Sequence, residues 1–417
     1  MTTDNSTTVG TATALAGVRV LDFSRVLAGP WCTQNLGDLG AEIIKVERPG
    51  VGDDTRSWGP PWLADGQGQP THDSAYYASA NRGKRSITLD VSKPEGRQLA
   101  IELAKRSQIF VENFKVGDLA RYGLDYESLR KVNPALIYCS ITGYGQDGPE
   151  AHKPGYDFIF QGQGGLMSIT GERDDLPGGG PQKVGIAVAD VLTGMYATVA
   201  ILAALRHAER TGEGQRLDIA LLDTIVAFGA NQFVSYMVSG KVPQRYGNAH
   251  ANVTPYNVFA TADGYMILAV GNDSQWQGCC RALGRADLAA DARFAKTSGR
   301  TQNRDALIPD IAAHLRTQPT AHWTAALERE GVPCGPINDY SQVLQEPQVI
   351  HRGLRMDLPR ADGSTSPSVR SPLRLSATPV RHDKGPPLLG EHTDRVLGEL
   401  LGLDEQARAR LRDGGVI

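Results

Sequence analysis

The sequence has little of what marks several large classes of protein. Its formal net charge is only -3, so it carries no general signature for a polyanion such as nucleic acid. Any nucleotide-like ligand has to meet a local cluster of Arg and Lys. Cysteines are few and odd in number, five in 417 residues. Cys32, Cys139, Cys279, Cys280 and Cys334 show no metal-ligand spacing, and the adjacent Cys279 and Cys280 do not suit an ordinary disulfide. A reduced, cytoplasmic setting without a metal site is expected. No run of eighteen apolar residues occurs, so no membrane span is expected either. The first residues are rich in Thr and Ser and hold no Lys or Arg, unlike a signal or transit peptide. No Walker loop, G-x-G-x-x-G fingerprint, G-x-S-x-G elbow or H-E-x-x-H pair is present. The Gly-rich Gln161–Gly165 reads as tight packing, and no repeat recurs at a fixed period.

What is there reads as a globular α/β chain, 41% hydrophobic and 21% charged. Its length exceeds one ordinary core, which predicts two domains. An apolar run over 18–23, a helix over 31–39 opened by Pro30 and closed by Gly40, and a second run over 41–47 make a βαβ unit. Such a unit needs a parallel sheet. The pattern repeats with a strand at 85–90, a helix at 94–106 and a strand at 108–112, and further strands follow at 136–142 and 215–221. Residues 50–69 read as a long loop. The expected layout is a loose tail over 1–14 and a large Rossmann-like open-sheet domain over 15–225. A linker over 226–249, a smaller α+β domain over 250–335 and a Pro- and Arg-rich, extended arm over 336–417, ending in a helix near 404–412 and returning to the large domain, complete it. Open α/β sheets bind ligands beyond the carboxyl ends of their strands. The loops after Phe23, Glu47, Glu112 and Thr142 are therefore the places to search.

Two features carry chemistry. The apolar run Ile186–Ala189 delivers one carboxylate, Asp190, ahead of a small, Ala-rich helical stretch. Taken alone, such an Asp reads as a helix cap. Basic residues follow the strands of the sheet, with Arg25 after the first, Arg48 after the second and Arg121 after 111–114 and its loop, while Arg82, Lys84 and Arg85 precede the third, and all are placed where they gather near the sheet's carboxyl edge. Together they suggest a ligand with several phosphates, which arginine binds through paired donors. His250 sits in a polar loop and reads either as a surface residue or as a substrate contact.

Several spaced motifs then coincide: Gly17–Phe23 with Ala28-Gly-Pro30, Leu36–Arg48, Asn81–Ser86, Val111–Phe114, Ser140–Gly145, Pro154–Asp157, Ala189-Asp190 and Pro387–Thr393. In these the chain resembles class III coenzyme A transferases, the CaiB/BaiF family. The resemblance implies an interlocked homodimer, with Asp190 as the nucleophile. It implies acyl-CoA and carboxylic acid substrates, no tightly bound cofactor, and no membrane or nucleic-acid partner. Asp157 matches a catalytic Glu of formyl-CoA:oxalate transferases and is one methylene shorter. The CoA contacts fall on Arg25, Val26, Arg48, Leu89, Asn113, Phe114 and Arg121. Leu27 stands where those enzymes have a Gln, and 246–256 replaces their Gly-run loop, so formyl-CoA and oxalate are not the expected substrates. The stretches 52–61 and 138–146 are most similar to succinyl-CoA:glutarate-type dicarboxylate transferases. Arg56 then reads as a contact for a distal carboxylate or as a structural salt bridge, with Tyr156 and His250 as further substrate contacts. Two alternatives compete. An α-methylacyl-CoA racemase-like isomerase would need a His where this chain has Tyr156. A non-catalytic CoA-binding paralogue would form no adduct on Asp190.

Overall fold

The structure, a computed structural model, describes residues 13–417, so the expected tail lies outside the described residues except for its last two positions. The chain forms two compact units. The first takes residues up to 165, then 185–233 and 350–417, and the second takes 166–184 and 234–349.

The first unit is built on six parallel strands: β1 (Arg19–Asp22), β2 (Glu42–Glu47), β3 (Arg85–Thr88), β4 (Ile109–Glu112), β5 (Ile137–Thr142) and β6 (Arg216–Ala220). Their order across the sheet is β3-β2-β1-β4-β5-β6. This is the doubly wound order, whose direction reverses between β1 and β4. β4 and β5 are buried throughout, as a parallel sheet covered on both faces requires. Helices α1 (Ala28–Asp38) and α4 (Val188–Thr211) pack on each other and on the sheet. Helix α2 (Pro94–Ala104) packs with Thr393–Leu401. Two short helices, α3 (Asp157–Gln163) and α5 (Leu221–Phe228), pack on α4 and on each other.

Helix α1 has poor helix formers, with Gly29, Pro30 and Gly37 among its eleven residues, yet nine of them are buried. Tertiary contacts hold it. Thr33 donates to Asp22 at 2.6 Å, and Asp38 takes a two-pronged contact from Arg82. Helix α4 is the one helix among the described residues long and apolar enough to cross a membrane, by length and composition. Its buried side includes Ala189, Thr193, Gly194, Ala197 and Ile201.

Edge strand β3 is closed by the turn before Thr393 rather than by another strand. Gly390 N–H donates to Ser86 Oγ at 2.9 Å, His392 N–H to Ser86 O at 2.8 Å, and Thr88 N–H to Thr393 Oγ1 at 2.9 Å. Val416 O accepts from Asp90 N–H at 2.8 Å. Residues 350–417 hold a hairpin, Arg355–Pro359 with Thr365–Val369, and two helices, Thr393–Leu401 and Glu405–Asp413. The closing helix Glu405–Asp413 matches the one expected near 404–412, while the hairpin and the helix Thr393–Leu401 replace what was read as extended chain.

The second unit has a three-stranded antiparallel sheet, Tyr256–Ala260, Tyr265–Ala269 and Cys334–Pro336. Helices cover it, and Trp276, Ile311, Leu315 and Leu327 fill its core. The stretch read as a linker, 226–249, holds the end of α5 and the helix Ala230–Ser239. The stretch read as a loop, 50–69, holds a 3-10 turn at Asp54–Ser57 and the first strand of a hairpin, Trp62–Ala64 with Pro70–Ser74.

Candidate active site

Helix α4 begins at Val188, which puts Asp190 inside its first turn and not at its cap. The capping residue Ala187 offers no side-chain acceptor. Asp157, the first residue of α3, supplies one instead: its Oδ1 accepts from Ala189 N–H at 2.7 Å. Its other oxygen accepts from Gln161 Nε2 at 2.6 Å. The capping role that spacing gave to Asp190 thus belongs to Asp157. Burial, and after it the charge of Asp157, lifts the Asp190 pKa to about 7. A first-turn carboxylate is normally favoured by the helix dipole. Here loss of water outweighs that.

Tyr76 also belongs to this corner, and sequence reasoning missed it. Burial, then the charges of Asp190, Asp157 and Asp53, push its phenol up to about 12, so it stays a donor. Its ring meets Trp58 edge-on at 5.1 Å. The available signal was the pair Tyr76-Tyr77 just ahead of the basic 81–86 motif. Tyr77 is fully buried against Arg56, while Tyr76 is left to the acids.

The second feature lies where the strand order reverses. Asn113, after β4, clasps the backbone of Arg25, after β1: it accepts from Arg25 N–H at 2.9 Å and donates to Arg25 O at 2.7 Å. Glu112, its pKa raised to about 7 by burial, accepts from Phe114 N–H at 2.8 Å. A cavity of about 630 Å³ opens here, and Arg25, Arg48, Leu89, Phe114 and Arg121 line it. Val26 and Asn113 stand beside it through Arg25. The Arg25 guanidinium lies 5.6 Å from the Phe114 ring centre and pairs with Asp54 at 2.8 Å. Arg121 is 62% exposed and meets Asp118 at 3.3 Å. Exposed arginines of this kind can exchange a weak surface pair for a ligand anion. Asp53 lines the cavity, and its charge is the smallest of those that raise the Tyr76 phenol.

Three further residues were expected as substrate contacts. Arg56 is buried, and its guanidinium is committed to Glu47 at 2.8 Å, Asp73 at 2.6 Å and the Tyr77 hydroxyl at 2.6 Å. Of its two readings, substrate contact or structural salt bridge, these contacts match the salt bridge. Tyr156 is 68% exposed, next to Asp157. His250 belongs to the second unit, where its Nδ1 accepts from Asn252 N–H at 3.0 Å. Among the described residues no group of His, Cys, Asp and Glu is arranged to hold a metal.

The model of CoA-transferase family III matches residues 15–393. The chain belongs to CoA-transferase family III. A succinate–glutarate CoA-transferase of Agrobacterium fabrum is 49% identical over 94% of this chain and 97% of its own length. A succinyl-CoA:glutarate CoA-transferase of Mus musculus is 43% identical over 97% and 90%. A solved structure of a CAIB/BAIF family protein from Brucella suis, 46% identical, superposes with a TM-score of 0.83 over 93% of this chain and all of that one. This family III protein is thus an enzyme, a CoA-transferase that works on CoA thioesters. Transfer, rather than isomerisation or binding without chemistry, is its reaction.

Proposed function

We propose that this CoA-transferase moves coenzyme A from succinyl-CoA to a dicarboxylate such as glutarate, with Asp190 as the covalent carrier. The observation that carries the reading is Asp190, in the first turn of α4 and lifted to about 7, in a unit whose sheet also carries an arginine-lined cavity where its strand order reverses. A carboxylate of raised pKa is the more basic nucleophile once ionised. Its oxygen attacks the thioester carbonyl, the C–S bond breaks, and CoA thiolate leaves behind an aspartyl anhydride. The thiolate then attacks the aspartyl carbonyl and frees the donor acid, leaving an aspartyl-CoA thioester. The acceptor carboxylate attacks that thioester, and the thiolate released takes the acceptor's acyl carbon, restoring Asp190. Asp157 holds the first turn of α4 in place through Ala189. Tyr76, protonated across the working range, donates to oxygen that becomes negative in these steps. Arg25, Arg48 and Arg121 meet the CoA phosphates.

The names of the relatives support succinyl-CoA and glutarate as the pair. The active form is a homodimer, interlocked as in the family. Its support is the apolar surface that α3, α4 and α5 leave exposed on a single chain, with Phe158, Ile159, Tyr196, Val199, Val226 and Phe228. A cytoplasmic setting accords with five free cysteines. Incubation with succinyl-CoA followed by hydroxylamine should leave a hydroxamate on Asp190, read by peptide mass. An acceptor panel of glutarate, succinate and oxalate should then yield glutaryl-CoA in preference to oxalyl-CoA. Modification at another residue removes the mechanism, and turnover with oxalate alone removes the substrate assignment.

A further inference from the structure

Val26 is one of two non-glycine residues with a left-handed backbone among the described residues, at φ 70°. A β-branched side chain is disfavoured there and persists only where its surroundings over-determine it. It lies between Arg25, which lines the cavity, and Leu27, which opens α1. A fully buried ion pair grips this stretch from below. Asp53 Oδ1 accepts from Val26 N–H at 3.2 Å. Asp53 Oδ2 meets Lys45 Nζ at 2.8 Å, with both side chains at 0% exposure. Lys45 Nζ also donates to Ser24 O at 2.9 Å. The pair therefore holds the chain on both sides of Arg25. Asp53 is itself fixed, donating its N–H to Glu47 at 2.9 Å and accepting from the Thr55 N–H and hydroxyl at 3.0 and 2.7 Å.

A buried ion pair is weak evidence for stability, since apolar groups of the same volume often do as well. The strained residue it holds gives it another use. We infer that Lys45 and Asp53 are positioning residues for acyl-CoA: they keep Val26 left-handed so that Arg25 and the start of α1 face the cavity. This rests on the reading of that cavity as the acyl-CoA site.

The test uses the full-length enzyme and succinyl-CoA. Lys45→Met with Asp53→Ala removes the pair without leaving an orphan charge. KM for succinyl-CoA should rise about tenfold, a misplacement effect, while kcat stays within about threefold. Lys45→Met with Asp53→Asn keeps an oxygen for Val26 N–H and should recover most of that loss. The deciding arm is Val26→Gly, because glycine takes a positive φ without penalty. Against Val26→Gly alone, adding Lys45→Met and Asp53→Ala should change KM by less than about twofold. A rise that persists in the glycine background overturns the inference, as does an unchanged KM in the first variant. Failure to fold in both backgrounds makes the pair merely structural and also overturns it; folding only with glycine supports it. If the cavity is not the acyl-CoA site, that shows separately, as an unchanged KM for Arg48→Ala and Arg121→Ala.

Discussion

Asp190 carries two consequences of one environment. As the proposed nucleophile it attacks only when ionised, so the single-turnover rate of adduct formation should climb between pH 6 and 8, with a midpoint near the pKa of about 7. Burial raises that pKa above the ordinary 3.8, so it penalises the charge in the folded state only. The penalty is fully present above pH 7 and fades as pH falls through 7 towards 3.8. Asp190→Asn should therefore abolish transfer, by about a thousandfold or more, while melting higher than wild type at pH 8. The melting difference should shrink towards pH 5. Equal melting curves at both values contradict the assigned burial cost. Arg121→Ala belongs to the other half of the site. Its KM for succinyl-CoA should rise several-fold with little change in kcat, and the ratio should narrow in high salt because the side chain is exposed. Asp190 was legible in the sequence as a lone acid between an apolar run and a small-residue helix. Its freedom from capping was not, because Asp157 reaches the helix from 32 residues earlier. For Arg56 the sequence left two readings open for the same reason: Glu47, Asp73 and Tyr77, which favour the salt bridge, meet it only once the chain has folded.

Among the elements, the contact of α1 with α4 sets the site, and one glycine permits it. A Cβ at Gly194 would lie 2.6 Å from Ala28 O and 3.1 Å from the Trp31 side chain. In an unconstrained helix interior, Gly→Ala stabilises by about 1 kcal/mol. Here backbone is struck, and overpacking should cost about 1–3 kcal/mol instead. Gly194→Ala should lower the melting temperature and, by pushing α1 off the turn that carries Asp190, lower kcat. A higher melting temperature would mean that the helices have room between them. The six strands of the main sheet were legible because short apolar runs recur between helical stretches at βαβ spacing. The hairpin at Trp62–Ala64 and Pro70–Ser74 was not, because seven of its eight strand residues are not apolar and buried. In Thr393–Leu401, Val396 and Leu397 are buried in register, a short helical pattern masked by the Pro- and Arg-rich stretch ahead of it.

On the scale of the whole molecule, one unit is interrupted by another: 166–184 and 234–349 leave and rejoin the sheet-bearing unit. The change of pattern after residue 230 and the return of the C-terminal stretch were expected from the sequence, but the membership of 166–184 in the second unit was not, because that short stretch carries no change of pattern of its own. Exposed apolar residues on α3, α4 and α5 predict association, and sedimentation at micromolar concentration should give twice the 44.8 kDa chain mass. A stable monomer removes the dimer from the reading.

The closing of β3 by the turn before Thr393 has a consequence for how the enzyme is made. Thr88 waits for a partner 305 positions downstream, and Asp90 waits for Val416. At synthesis rates of about 5–20 residues per second, the ribosome carries an open sheet edge for roughly 15 to 60 seconds. Unpaired edges recruit other chains. Over that interval the nascent chain is expected to depend on chaperone cover at this edge, which its last helices close only when they emerge.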